Sequence, residues 1–261
     1  MRLAGYSQAQ LQRAAVAQML MTQGRHSAIL GTSPELLEFY YPLDETTGTT
    51  AVDASGKGRN GTHVGATLGA YTTPFSRPAP LFDAVTDYVD IYSSSLASAL
   101  ATWSEGTVVA FVRVSGAGVW TDGVARSILQ ISDGAQGNRV NLWKYSVSNQ
   151  VRFQRVVGGV SVQIFATITP TTDVICLGMS WSVANNRLRG WVSYRGVPAA
   201  QIGSTQTGVT AWSAVTHANT RCLIGNTYTV TPTNLIDGNV FEVAGWSSEF
   251  DLTQLASVMA F

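Results

Sequence analysis

The stretch that decides the fold runs from Tyr40 to Thr62 and reads YYPLDETTGTTAVDASGKGRNGT. Its aromatic and apolar start predicts a strand that ends at Asp44-Glu45, and Gly48 marks a turn after that strand. The glycines between residues 56 and 61 let the backbone of the following loop enter the left-handed region. The stretch therefore predicts a strand, a turn and a glycine-rich loop at the opening of a β-structured domain.

Strand patterns continue along the chain after this stretch. Short runs rich in Val, Ile, Thr, Tyr, Phe and Trp are separated by clusters of Gly, Asn, Asp and Ser, without an intervening helical period. This spacing predicts an all-β fold, an antiparallel β-sandwich or jelly roll. The predicted strands are Thr107–Val114, Arg126–Ser132, Arg139–Ser146, Val151–Val157, Val160–Ile168, Val174–Val183 and Arg187–Tyr194. The predicted turns are Asp133-Gly134, Gly158-Gly159, Asn185-Asn186 and Asp237-Gly238.

A helical arm is predicted in front of the β domain. Ser7 and Gln10 form a capping-box pattern, and the amphipathic rhythm that follows predicts one helix from about Ser7 to Gln23. A helix of this length is marginal alone in water, so we expect its face of small residues and methionines to dock on a partner or on its own domain. The predicted partner-binding residues on that face are Leu11, Ala15 and Met19.

Two shorter helical patterns complete the organisation of the chain. Ser33-Pro34-Glu35 predicts a second helical turn, because proline is favoured at the first helical position. Asp251–Ala256 predicts a short helical turn near the end of the sequence. These patterns divide the chain into a helical arm, residues 1–38, and a jelly-roll domain, residues 39–261.

The charge pattern limits the classes of partner. The 261 residues carry 16 basic and 16 acidic side chains, and only 12% of the residues are charged. A neutral surface gives no long-range attraction to polyanions, so nucleic acid is not an expected partner. No run reaches 18 apolar residues, so membrane insertion is not expected either. Basic charge is nearly all arginine, which indicates either a subunit interface or a compositional bias of the genome.

The cysteines and the start of the chain indicate the compartment. Cys176 and Cys222 lie in apolar strand-like runs, with no C-x-x-C pattern or histidine cluster nearby. The two cysteines could pair, but we expect two buried free thiols and no zinc or redox site. Glutamines and an arginine interrupt the start of the chain, which is not the apolar core of a signal peptide. We therefore expect the protein to be made in the cytoplasm of the cell that synthesises it, which would be the host cell of a virus, without a signal peptide.

The opening stretch resembles the start of the laminin-G-like jelly-roll domains of the concanavalin A-like lectin/glucanase superfamily. The family pattern is approximately W-x-L-D-E-x-x-G-x-x-x-x-D-x-S-G-x-G-x-x-G, and Tyr41 stands at the usual tryptophan. The resemblance covers roughly Phe39 to Phe261 and implies a concanavalin A-like sandwich, a fold that hosts many functions. Later stretches that resemble the family, in its order, are Leu81–Ile91 (with Ala84 in place of a glycine), Thr107–Val114 (with Phe111 in place of a tryptophan), Met179–Gly196, Leu223–Gly225, Gly238–Trp246 and Leu252–Leu255.

Relatives of this fold include glycoside hydrolases, which need paired carboxylates flanking the scissile bond. No two glutamates of this chain share one face of a predicted strand. The histidines, His26, His63 and His217, have no serine or cysteine in a recognisable nucleophile setting. We therefore expect a protein that is not an enzyme.

The resemblance also implies calcium, the commonest ligand of the family. Asp53, Asn60 and loop carbonyls would supply one side of the site, and the aspartate of the G-x-I-D-E motif the other. In this sequence the aspartate position is Phe241, whose ring cannot coordinate a hard cation. Asp53 can instead cap its own turn. The expectation is no metal and no other cofactor, with calcium at Asp53 as the alternative.

Lectins of this fold place aromatic residues on rim loops, where a ring stacks on a pyranose. The predicted carbohydrate-binding residues are Trp120, Trp212 and Tyr228, with Tyr71 as a further candidate, because each lies beside Gly, Thr or Ser. Exposed aromatic residues serve protein interfaces equally well. The tryptophans in strand runs, which we expect in the core, are Trp143, Trp181, Trp191 and Trp246.

Two functions follow from these patterns. The main prediction is a bacteriophage virion protein, either a capsid decoration or a tail component, because a lectin-like fold without an export signal has a low-charge, neutral composition and a helical arm in front of it. The resemblance to laminin-G-like domains of phage virion proteins agrees with this prediction by analogy. Its arm would bind other virion proteins and copies of itself, and it would be located in the virion. The alternative is a carbohydrate-binding module for cell-surface glycans, which includes receptor binding.

Overall fold

Two antiparallel β-sheets, packed face to face, form the body of the protein. A computed structural model describes residues 26–72, 77–133, 137–212, 221–227 and 233–261, with residues 71 and 72 described by their backbone alone. The strands are β1 (Leu37–Tyr41), β2 (Thr50–Ala51), β3 (Gly61–Val64), β4 (Thr67–Thr72), β5 (Pro78–Asp83), β6 (Tyr88–Asp90), β7 (Glu105–Val114), β8 (Arg126–Ser132), β9 (Arg139–Lys144), β10 (Gln150–Val157), β11 (Val160–Thr167), β12 (Ile175–Ser182), β13 (Arg187–Tyr194), β14 (Val197–Gln206), β15 (Arg221–Ile224) and β16 (Asp237–Trp246). The helical elements are residues 26–31, the 3-10 helices Pro34–Leu36 and Ala117–Trp120, and the α-helices α1 (Ser94–Leu100) and α2 (Leu252–Val258).

The strand order shows a jelly-roll type of connection between the sheets. Sheet A has the order β14-β13-β12-β7-β16-β5-β4, and β1 also pairs with β16. Sheet B has the order β11-β10-β9-β8-β15-β6-β3-β2. Strands distant in sequence, such as β7 and β16, are neighbours, because the chain passes repeatedly from one sheet to the other. The predicted all-β antiparallel sandwich is confirmed.

The seven strands whose bounds the sequence predicts are all present among the sixteen that the described residues form. Arg126–Ser132 and Arg187–Tyr194 begin and end at the predicted residues, and the other predicted strands differ by one or two residues at an end. Gly158 and Gly159 have φ angles of 55° and 82° and form the predicted hairpin turn between β10 and β11. The alternation of side chains was therefore sufficient to place these strands.

One predicted turn is wrong, and three helical elements were missed: residues 26–31, the helix α1 and the 3-10 helix Ala117–Trp120. Asp237-Gly238 begins β16 instead of making a turn, and a Cβ at Gly238 would lie 2.1 Å from the Arg113 carbonyl oxygen. The glycine is needed there for close approach of β16 to β7. Helix α1, capped by the Ser93 hydroxyl at the Leu96 amide, did not stand out from the surrounding serines and alanines. In the described part of the chain, no helix has the length and apolarity to span a bilayer.

Alternating side chains of sheet A divide the interior into two apolar clusters. Val108, Ala110 and Val112 of β7 point between the sheets, where they join side chains of sheet B in the main core. Val109 and Phe111 point to the outer face of sheet A and pack under α2 and residues 26–31. The outer face of sheet A is therefore a second, helix-covered core.

The described part of the N-terminal arm belongs to this second core. Ile29 is fully buried there, and His26 Nδ1 lies 3.0 Å from the Tyr40 hydroxyl. The Trp246 indole donates a hydrogen bond of 2.9 Å to the Thr32 carbonyl. The predicted turn at Ser33-Pro34-Glu35 is present as the 3-10 helix Pro34–Leu36. The predicted helix from Ser7 to Gln23, with Leu11, Ala15 and Met19, lies outside the described residues.

Candidate functional site

The outer faces of the two sheets differ in what covers them. The outer face of sheet A is apolar and lies under helices, as described above. On β9 of sheet B, Val140 and Leu142 point into the main core, so the alternate residues Asn141 and Trp143 point outward. In the described part of the chain, no helix packs on this outer face of sheet B. It is therefore the broad face on which a ligand-binding surface can be sought.

An aromatic cluster around one arginine lies on this outer face. Trp143 of β9 and Phe165 of β11 are the direct cross-strand neighbours of Arg152 on β10. The Arg152 guanidinium carbon lies 5.7 Å from the Trp143 ring centre, 5.5 Å from that of Tyr145 and 5.4 Å from that of Phe165. The Tyr145 and Phe165 rings meet edge to face at 4.8 Å. We call these residues, with Gln163, the β9–β11 cluster.

A chain of polar side chains supports this cluster. Asn141 Nδ2 donates to Gln154 Oε1 at 3.2 Å, and Gln154 Nε2 donates to Ser161 Oγ at 2.8 Å. Ser161 Oγ lies 3.4 Å from Gln163 Oε1, which also accepts a hydrogen bond from Arg152 Nη2. Asn141 and Gln154 are buried, whereas Ser161 is exposed on the edge strand β11. This series of hydrogen bonds therefore runs from buried residues of sheet B to its exposed edge strand and fixes the orientation of Arg152.

The electrostatics of Arg152 follow from this setting. Burial lowers the pKa of Arg152, Tyr145 raises it, and the neighbouring Arg139 lowers it further. The single Nε–H group of Arg152 and the Nε1–H group of Trp143 are buried and have no hydrogen-bond acceptor. Phe165 remains 40% exposed, so the cluster is open to solvent at its β11 side. The site thus combines the exposed ring of Phe165 with two buried donors that lack an acceptor.

The predicted carbohydrate-binding residues do not form this site. Trp120 is only 1% exposed and lies in the main core, where its indole donates a hydrogen bond of 2.8 Å to the Thr171 carbonyl. A buried ring cannot stack on a sugar, so the prediction for Trp120 is wrong. Trp212 is half-buried and packs against the main core, with its Nε1 buried. Tyr228 and the side chain of Tyr71 lie outside the described residues.

The prediction that Trp143 lies in the core is wrong. Trp181, Trp191 and Trp246 are buried, as predicted for strand tryptophans. Trp143 lies in a strand but is half-buried on the outer face. Val140 and Leu142 already occupy the core side of β9, so the period of two along this strand was the pattern that could have placed Trp143 outside.

The oxygens of the residues considered for calcium accept hydrogen bonds from backbone amides. Asp53 Oδ1 accepts hydrogen bonds from the amides of Tyr40 at 3.1 Å and Ser55 at 3.0 Å, and Oδ2 accepts from the Arg59 amide at 3.0 Å. Asn60 Oδ1 accepts from the Asp53 amide at 3.0 Å. These oxygens are therefore directed at amide hydrogens, and Asp53 caps its own loop. Across the described ranges, no group of three or more His, Cys, Asp or Glu side chains is arranged to hold a metal.

Two glutamates at the start of the domain, Glu38 and Glu45, contact basic side chains and are not paired with each other. Glu38 Oε2 lies 2.9 Å from Arg59 Nη1. Glu45 Oε2 lies 3.1 Å from His63 Nε2. Burial raises the pKa of Glu45, but hydrogen bonds from His63 and the Val52 amide outweigh it and lower the pKa overall. These pairs hold the opening stretch of the domain in place.

Comparisons of sequence and structure give different results. No family model matches the chain, and no curated protein matches it. Solved structures do match. Domain 4 of AbnA, a GH43 extracellular arabinanase from Geobacillus stearothermophilus in complex with arabinotriose, has a TM-score of 0.57 and 12% identity, over 85% of this chain and 98% of that chain.

Two further solved structures have similar scores. The CBM40 of the Ruminococcus gnavus IT-sialidase, bound to α2,3-sialyllactose, has a TM-score of 0.53 and 12% identity, over 69% of this chain and 97% of that one. A structure of botulinum neurotoxin type C, whose cell entry depends on two ganglioside molecules, has a TM-score of 0.61 and 10% identity, over 88% of this chain and 52% of that one. This chain shares the fold of carbohydrate-binding β-sandwich domains.

Proposed function

We propose that this chain is a carbohydrate-binding module that recognises glycans through the β9–β11 cluster. The observation that carries the proposal is the grouping of Trp143, Tyr145 and Phe165 around a fixed network of polar side chains on the outer face of sheet B. The structures of glycan-bound domains with the same fold support it.

The chemistry of the cluster fits a sugar ring. One face of a pyranose carries C–H groups, which are attracted to the negative face of an aromatic ring. The hydroxyl groups at its edge need donors and acceptors, which Gln163, Ser161 and Arg152 supply beside the rings. Aromatic surface with a few placed polar groups is the usual composition of a small-ligand site. The cluster therefore provides both kinds of contact that a saccharide requires.

Glycan-array binding tests this proposal. We expect the intact chain to bind a subset of glycans, and Phe165→Ala to weaken that binding at least tenfold, which is a loss of about 1.4 kcal/mol. Leu252→Ala is the matched control, because Leu252 is an exposed apolar side chain on α2, beside the outer face of sheet A. Unchanged thermal unfolding of both variants shows that they remain folded. An array on which the intact chain binds no glycan, or on which Phe165→Ala binds like the intact chain, overturns the proposal.

The bacteriophage virion role predicted from the sequence remains a separate proposal. It rests on the low charge of the chain and on an arm whose docking residues lie outside the described residues. The solved structures named above include no virion protein. Glycan binding is therefore placed first, and incorporation into particles before and after deletion of residues 1–23 tests the virion role independently.

A further inference from the structure

We infer that the saccharide bound at the β9–β11 cluster is anionic and that its acidic group, a carboxylate or a sulfate ester, pairs with Arg152. The inference rests on the proposed function, because it names the class of ligand for the same site. It is carried by the charge balance around Arg152 and by the unused hydrogen-bond donors in the cluster.

No carboxylate of the protein neutralises Arg152. All 16 Asp and Glu residues lie in the described part of the chain, and none of them forms a salt bridge with Arg152. The ionisable groups that act on Arg152 are Tyr145 and Arg139, and Arg139 is itself a cation. Asp133, the acid that acts on Arg139, also accepts hydrogen bonds from the backbone and side-chain amides of Asn138 at 3.0 Å and 2.7 Å. The cluster is therefore a half-buried site with excess positive charge.

Two more deeply buried arginines do have an acid, whereas the buried Arg155 has none among the described residues. Arg77 and Arg126 have side chains that are 8% and 11% exposed, and each forms a salt bridge of 2.7 Å with a carboxylate. A desolvated charge without a partner costs free energy, which is why such groups are normally paired. Contacts with three aromatic rings offset part of this cost for Arg152. An acidic group of a ligand would supply the missing counter-charge.

Two buried hydrogen-bond donors without an acceptor lie beside this charge, and they become available to a ligand only when the side chains around them move. The Arg152 Nε–H and the Trp143 Nε1–H are buried donors without an acceptor, and the two residues are direct cross-strand neighbours. A carboxylate or a sulfate ester has oxygens that only accept hydrogen bonds, and the planar guanidinium matches their geometry. Gln163 holds the Nη2 side of Arg152, so the guanidinium is oriented before the ligand arrives. The acidic group would bind Arg152 while the sugar ring stacks on exposed Phe165.

Titration calorimetry with two matched pairs of oligosaccharides tests the inference. The first pair is oligogalacturonate and its methyl ester, which differ in the charge and in one added methyl group at each carboxyl. The second is 6-sulfolactose and lactose, and α2,3-sialyllactose adds a third acidic sugar. We expect at least one acidic sugar to bind tenfold or more tightly than its neutral counterpart, and the pair that shows the preference identifies the acidic group. Because an ion pair is screened by salt, the preference should decrease at high ionic strength.

Variants assign the effect to Arg152. Arg152→Gln should bind the acidic and neutral members of a pair equally, whereas Arg152→Lys should keep part of the preference because it keeps the charge. Arg195→Gln is the matched control, since Arg195 is exposed in the turn between β13 and β14. If Arg152→Gln does not fold, the partial preference of Arg152→Lys and the salt dependence of the intact chain test the inference. A preference for acidic sugars that does not decrease at high ionic strength then overturns it.

The failures of the two proposals are distinguishable. Binding of neutral and acidic sugars with equal affinity overturns the anionic ligand but leaves the carbohydrate-binding function intact. A preference for acidic sugars that Arg152→Gln retains also overturns the role of Arg152. Absence of binding to every sugar and to the glycan array overturns the proposed function itself.

Discussion

Arg77 and Glu242 form a buried ion pair although 165 residues separate them in sequence, with Arg77 Nη1 lying 2.7 Å from Glu242 Oε1. Glu242 lies where a bulge shifts the register between β16 and β7. The same guanidinium donates to the Pro42 carbonyl at 3.0 Å and lies 3.2 Å from Asp44. The pair thus joins the opening stretch of the domain to the last strand of sheet A.

Removing the carboxylate alone should destabilise the protein strongly. Glu242→Ala leaves Arg77 buried without its main counter-charge, and we expect the free energy of unfolding to fall by about 3–5 kcal/mol. The double variant Arg77→Met/Glu242→Met should recover part of this loss, because no buried charge remains. Urea unfolding measures both, with Glu35→Gln at an exposed position as the control. A loss no larger than in the control would show that the pair is not important for stability.

Replacing Ala84 by glycine should stabilise the protein. Its φ angle is 63°, in the left-handed region where an L-residue with a Cβ is disfavoured by about 1–2 kcal/mol. We expect Ala84→Gly to raise the free energy of unfolding by about 0.5–1 kcal/mol after the added flexibility of the unfolded chain is subtracted. The matched control is Ala101→Gly, where φ is −61° and glycine should destabilise. A decrease in stability at both positions would contradict the strain argument.

Glu249 should make stability depend on acid pH. Its side chain accepts hydrogen bonds from Arg187 Nε at 2.7 Å, Arg189 Nη2 at 2.8 Å and Asn185 Nδ2 at 3.0 Å. Burial raises the pKa of Glu249, but the bonds from Arg187 and Asn185 and the nearby guanidinium charges outweigh it, so the pKa lies below its ordinary value of 4.5. A lowered folded-state pKa gives stability that is present above the ordinary value and lost as the pH falls through the folded value.

Glu249→Gln isolates this contribution. At neutral pH we expect the variant to be less stable by about 2 kcal/mol, the scale of hydrogen bonds to a charged group. The difference from the original protein should shrink as the pH falls below 4.5, because the original carboxylate then becomes protonated. Chemical unfolding at a series of pH values checks the trend. A difference that is independent of pH would show that the charge of Glu249 does not stabilise the fold.

Calcium should not affect stability through Asp53. Because both carboxylate oxygens accept backbone hydrogen bonds, we expect equal thermal unfolding midpoints in calcium and in a chelator. Asp53→Ala should lower stability by about 2–3 kcal/mol in both solutions, since buried amides lose their acceptor. A rise in the midpoint with calcium that Asp53→Ala abolishes would instead establish a calcium site.

The sequence predicted the strands better than the site, for a physical reason. Strand alternation is local, so runs such as Arg187–Tyr194 could be placed from their own residues. The burial of Trp120 depends on the Thr171 carbonyl, 51 residues away, and nothing beside Trp120 indicates that contact. The grouping of Trp143 with Phe165 needs the register of three strands, which adjacent residues do not specify. Local patterns therefore defined the sheets, and cross-strand pairing defined the cluster.

The helix-covered core also determines how the domain would be oriented when it is attached to a larger assembly. Residues 26–31 and α2 both lie on the outer face of sheet A, and the Phe261 ring packs on Phe111 at 5.3 Å. The β9–β11 cluster is on the opposite side of the sandwich. Copies tethered to a common scaffold through either end of this body would all display their clusters away from the scaffold. Weak individual contacts with a glycan-coated surface would then add up through avidity.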